Sequence, residues 1–246
     1  MSKDFENTTN FIYQLTSKRL QLKKEKLGLK SNYQVAGFKN QIEYNEAPNY
    51  NKVDVSIISK ILNDKRENGK NLYLIPSKNA DLYYQAFLNN LNFSTIHEIL
   101  WGNNKEIQDY LPQLFQNIIL DSLKSQNKRI RNVCSDLMNC RPEIELSKKI
   151  SMLYEEIKED FSKEFIDFTR AIFSEKYLKN PNGMIYEIVD TKGTRSVLDV
   201  QKASDIGGTK LNDYLGYQKL NQAFEKFVEI RLIPFFVSNL IEQFDC

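Results

Sequence analysis

Five small or polar side chains, Val55, Ser56, Ser59, Lys60 and Asn63, fall at spacings that one face of a helix gathers, and their chemistry suits the edges of DNA bases. Lysine donates to guanine, asparagine pairs with adenine through two hydrogen bonds, serine adapts to either partner, and valine packs on a thymine methyl. Their neighbours Ile58, Ile61 and Leu62 give the same helix an apolar face to bury, and Asp54 ahead of them is a helix-starting residue. A second set, Lys18, Arg19, Lys23, Lys24, Lys65 and Arg66, carries the charge that phosphate contacts need. Such contacts position a protein on duplex DNA without reading sequence.

These side chains need a scaffold of short helices. From residue 10 to 26, Phe11, Ile12, Leu15, Leu20 and Leu22 recur roughly at helical spacing among lysines, which predicts a basic amphipathic helix ending near Gly28. Ser31 can cap a short helix reaching Phe38. Residues 39–53 contain Pro48 and several asparagines without a sustained period, so they read as a loop or a partly helical excursion. After Leu62 the turn-rich, basic NDKRENGKN and the apolar LYLIP form a connecting arm. Ser77 and Ser94 can each cap a further helix, the second ended by Gly102. In a helix-turn-helix unit, Ala36 would supply the small residue that lets the second helix pack closely.

The order SKRLQLKKEKLGL, YQVAGF, DVSIISKILNDKR, YLIP and HEILWG resembles the XRE, or Cro/repressor-type, helix-turn-helix regulators of low-GC Gram-positive bacteria and their mobile elements. The resemblance covers residues of about 10–102. It implies that Ala36 is the second-helix alanine, that Ile58 is the recognition-helix isoleucine, and that Ser59 and Lys60 follow it as the family's Ser-Lys pair. One departure stands out. The connection between second and third helices is usually about 3–4 residues, and here residues 39–53 intervene. If the true third helix lies around Ile42 to Glu46, the base-contacting residues shift with it.

Beyond Gly102 a boundary near 102–105 divides the chain into a DNA-binding part, 1–104, and a larger helical part, 105–246. The second part contains a helix bent or broken near Pro112, the basic KSQNKRIR, and a long amphipathic pattern from Glu143 to about Leu178. MIYEIVD and TRSVLDV around a Gly-containing turn signal a small hairpin near 184–200. A final helix from about Leu211 to Phe244 carries a kink before Pro234. The expected fold is mainly α: an N-terminal helix-turn-helix bundle plus a larger helical C-terminal domain with one small β-hairpin.

Composition narrows the function. The 34 basic and 32 acidic residues nearly cancel, yet residues 1–105 carry 15 basic against 10 acidic ones, so the positive charge is at the front. One histidine and three cysteines, Cys134, Cys140 and Cys246, in no ligand spacing argue against a zinc site and for reduced thiols in a cytoplasm. The acidic run Glu155, Glu156, Glu159 and Asp160 reads as a solvated face. No nucleophile and base come together in sequence, so neither an enzyme nor a cofactor is expected. The front lacks a signal peptide, and no apolar run approaches the ~20 residues of a membrane span. The expectation is a cytoplasmic, sequence-specific regulator that binds double-stranded DNA as a homodimer, with a C-terminal part able to receive a protein or peptide ligand. The alternative is a mobile-element protein that binds and inhibits a protein or ribonucleoprotein complex, using its helix-turn-helix for autoregulation or docking.

Overall fold

The computed structural model describes residues 4–48, 52–65, 80–140, 142–172, 185–189, 195–199 and 217–238. Within them the chain is mainly helical. The elements are α1 (Glu6–Lys26), α2 (Asn32–Val35), α3 (Gln41–Glu46), α4 (Val55–Leu62), α5 (Ala80–Asn90), α6 (Ile96–Trp101), α7 (Asn104–Ser122), α8 (Lys128–Asn139), α9 (Leu146–Ile172), α10 (Tyr217–Phe227) and α11 (Ile233–Phe236). A π-helical turn, Val228–Leu232, joins α10 to α11. Strands β1 (Ile185–Val189) and β2 (Arg195–Asp199) pair antiparallel, with Ile185 opposite Asp199. The arm expected at 63–76 lies largely outside the described residues, as does the turn expected between the strands.

Local chemistry sets the helix starts. Ser31 accepts from the Gln34 amide while the Gln34 side chain returns to the Ser31 amide, a capping box for α2. Asn40, Asp54, Thr95, Asn103 and Asn127 accept from first-turn amides of α3, α4, α6, α7 and α8. Thr95, not the expected Ser94, therefore caps α6; the Ser94 amide is instead held by the Glu98 carboxylate at 2.8 Å.

The two prolines act differently. Pro112 lies inside α7, which runs uninterrupted through it, with the proline on an exposed face of the helix. Pro234 lies in the first turn of α11, and the π-helical turn before it widens the helix where the ring meets the Ile230 carbonyl.

The centre of the structure is α1, which packs on α4, α6, α7 and α10. It buries Ile12, Tyr13 and Leu20, and also Thr8, Thr9, Thr16, Ser17 and Arg19. Buried polar groups need partners, and each of these has one. The Thr8 amide and hydroxyl both donate to the Asp121 carboxylate at 2.8 Å, and the Thr9 hydroxyl donates to the Asn221 side chain. The Thr16 hydroxyl reaches the Ile12 and Leu100 carbonyls, and Ser17 donates to the Ile61 carbonyl at 2.6 Å. The parts expected at 1–104 and 105–246 share this helix. One continuous core runs from Phe5 to Phe236 because α1 forms a wall for both parts.

Asp121 gives this junction a pH signature. Burial pushes its carboxyl above the usual range, against the hydrogen bonds from Thr8 and Asn7 that pull it down. With the folded value above the unfolded one, the native state holds the proton more tightly. The associated stability is full below about pH 4 and is lost as pH rises through the folded value. Urea midpoints measured in steps upward from about pH 4 should therefore fall for the wild type relative to Asp121→Asn. Parallel curves would show that Asp121 is not the source.

Candidate nucleic-acid interface

The geometry of α4 begins at its cap. Asp54 accepts from the Ser56 amide at 2.7 Å, and the Ser56 hydroxyl is the main cause of a carboxyl held below the ordinary range. Ile58, Ile61 and Leu62 are buried, and α4 packs on α1 and α2. Opposite them, Ser56, Lys60 and Asn63 are exposed, with Val55 and Ser59 half-buried beside them. The five candidate readers thus share the outer side of one two-turn helix and its C-cap.

The excursion at 39–53 does contain a helix, α3, but none of its residues is buried. It is pinned through Tyr44, whose ring lies 5.3 Å from those of Tyr33 and Phe38 and whose hydroxyl donates to the Val53 carbonyl. The Lys52 ammonium sits 4.7 Å over the same ring. A helix without a buried face does not fix the angles of a bundle. By packing, α4 is held on α1 and α2, whereas α3 is a side excursion that leaves Ile42 68% exposed.

Ser56 and Asn63 are engaged within the chain. The Ser56 hydroxyl bonds Asp54. Asn63, the C-cap of α4, donates through its side-chain nitrogen to the Ser59 carbonyl at 2.7 Å, and its oxygen accepts from the Gln21 amide at 3.5 Å. A two-bond contact from Asn63 to adenine requires both to be released. Gln21 is a residue that sequence reasoning missed, since no local pattern pairs it with a side chain 42 positions away.

The basic residues divide sharply. Lys18 on α1 and Lys65 just past α4 are exposed. Lys23 is half-buried, with its ammonium 3.4 Å from Glu98 and 4.7 Å above the Phe93 ring, and Lys24 donates to Asn32 at 2.7 Å. Arg19 is a correction. It is 7% exposed, its guanidinium donates to the Ile99 and Leu100 carbonyls at 2.9 and 3.1 Å, and it pairs with Glu106 at 3.1 Å. It terminates α6 internally and does not face a phosphate. Arg66 lies outside the described residues.

Other sequence candidates have structural partners. His97 on α6 lies 3.2 Å from the Thr169 hydroxyl of α9. The buried Cys134 is reduced, with its thiol pushed up to about 12 by burial, whereas Cys140 is disulfide-bonded, against the expectation of three reduced thiols. Among the described residues no group of three or more His, Cys, Asp or Glu side chains is placed to hold a metal. No described helix is long and apolar enough to cross a membrane. Compared with protein-family models, curated proteins and solved structures, the chain matches none.

Proposed function

We propose that the chain is a sequence-specific transcriptional regulator whose α4 enters the major groove of duplex DNA. The observation that carries this reading is the two-faced construction of α4. Its apolar side is buried on α1 and α2, and its outer side offers Ser56, Ser59, Lys60 and Asn63 with Val55 at the first turn. Lys18 and Lys65 supply phosphate contacts, and Arg66 continues the same basic run. The regulator works in the cytoplasm as a homodimer, which reads two half-sites at fixed spacing. The helical second part and its hairpin carry the dimer contacts or a protein ligand.

The test is selection from a random duplex library with the full-length protein at two salt concentrations, beside Lys60→Ala and Asn63→Ala. The wild type should enrich a palindromic motif. Lys60→Ala should relax preference at one base position and weaken binding by about 1–3 kcal/mol. Unchanged affinity and preference would remove Lys60 from the reading face, and motif-free binding that vanishes with salt would remove base readout altogether.

One observation favours a second reading, a protein that binds and modulates a protein or ribonucleoprotein complex. Arg19, Lys23, Lys24 and Asn63 are all engaged within the chain, which leaves fewer side chains for DNA. That reading predicts stoichiometric association with a partner that survives Lys60→Ala and Asn63→Ala.

A further inference from the structure

β1 and β2 form a two-stranded sheet, and among the described residues no third strand pairs with either of its outer edges. An open edge carries a row of backbone N–H and C=O groups, a template on which another strand adds. The two edges differ in what a second copy of the same strand brings to them. A strand paired antiparallel with its own copy about a two-fold axis has its central residue opposite itself and its two ends opposite each other.

For β2, RSVLD, that arrangement centred on Val197 sets Arg195 opposite Asp199 of the partner subunit and Asp199 opposite Arg195 of the partner subunit. For β1, IYEIV, the same arrangement centred on Glu187 sets one carboxylate opposite another. Opposite charges directly across an antiparallel pair stabilise it, and like charges oppose it. The edge of β2 is therefore self-complementary and that of β1 is not. Register within the hairpin sets no counter-charge across from either end of β2, since Arg195 stands opposite Val189 and Asp199 opposite Ile185. Packing of α9 against β1 ties the hairpin to the helical core through that strand.

We propose that β2 is a dimer strand: two copies of the chain join edge to edge along Arg195–Asp199 into one continuous antiparallel sheet, in the register that sets Val197 opposite itself. The proposal rests on the homodimer in the function proposed above and names its contact.

Sedimentation equilibrium of the full-length protein, without DNA, measures self-association of the wild type, Arg195→Asp, Asp199→Arg and the chain carrying both substitutions. Each single reversal sets like charges opposite each other at both ends of the pair and should weaken the dimer about tenfold or more. The double reversal should restore it. An equimolar mixture of the two single variants should form the mixed dimer, in which both facing pairs are again opposite in sign. Each variant is checked for an unchanged unfolding midpoint. A wild type that stays monomeric at the highest concentration measured would overturn the homodimer and the proposal with it. A dimer that both single reversals leave at full strength, or that neither the double reversal nor the mixture restores, would overturn pairing along β2 while the homodimer itself stands.

Discussion

Replacing Phe165 by alanine will lower the stability of the whole chain by about 3–5 kcal/mol, in a single unfolding transition. Phe165 has no exposed surface and touches ring after ring: Trp101 at 5.8 Å, Phe161 at 6.2 Å, Phe168 at 5.9 Å and Phe227 at 6.2 Å between centroids. Such a site is hemmed in by α6, α9 and α10 and collapses poorly, so the loss belongs at the upper end for a deleted aromatic side chain. The single transition is the sharper expectation. Trp101 is the one tryptophan of the chain, and its fluorescence reports the junction between α6 and α9. Far-ultraviolet circular dichroism reports all helices. In guanidinium the two signals should coincide for both wild type and Phe165→Ala, because one core includes both. Two separated transitions, with only the second shifted by the substitution, would show that residues 105–246 fold apart from the front.

Arg19→Met will cost about 3 kcal/mol of stability and, under the proposed DNA-binding function, leave the salt dependence of DNA binding unaltered. The Ile99 and Leu100 carbonyls that accept from Arg19 belong to the last turn of α6, where no intrahelical donor is available. Methionine fills similar space without donors, so two carbonyls lose their charged partner in a place that water scarcely enters. The ion pair with Glu106 adds little, because that carboxylate is 44% exposed and well screened. Urea unfolding measures the first effect. The slope of log affinity for duplex DNA against log salt measures the second, and a decrease of about one would show that Arg19 contacts phosphate.

The sequence was most legible where information is local. Asp54 followed by Ile58, Ile61 and Leu62 marks a capped helix with one buried face, and α4 has both. Gly102 does end a helix at a positive φ of 84°, and the capping box of Asn103 and Glu106 starts the next. The contacts that join the front of the chain to the rest have no local signal: Thr8 meets Asp121, Thr9 meets Asn221, and Arg19 meets Glu106, all across long stretches of chain. Threonine and serine on α1 look solvent-compatible until their partners are known, so the polarity of that helix conceals its burial. The basic residues failed for the same reason. Lys18 and Arg19 are adjacent and alike in sequence, but a helix turns by about 100° between neighbours, so one faces outward and the other faces α6.

The length of α1 has a mechanical consequence. Its 21 residues make a rod of roughly 30 Å at about 1.5 Å per residue. Asp121 clasps one end of the rod, and Ser17 ties its second half to α4. A tilt of about 5° at the clasp displaces the far end by about 3 Å over that length, comparable to the span of a hydrogen bond. The helix thus transmits displacement at the Asp121 clasp along its length to the contact with α4.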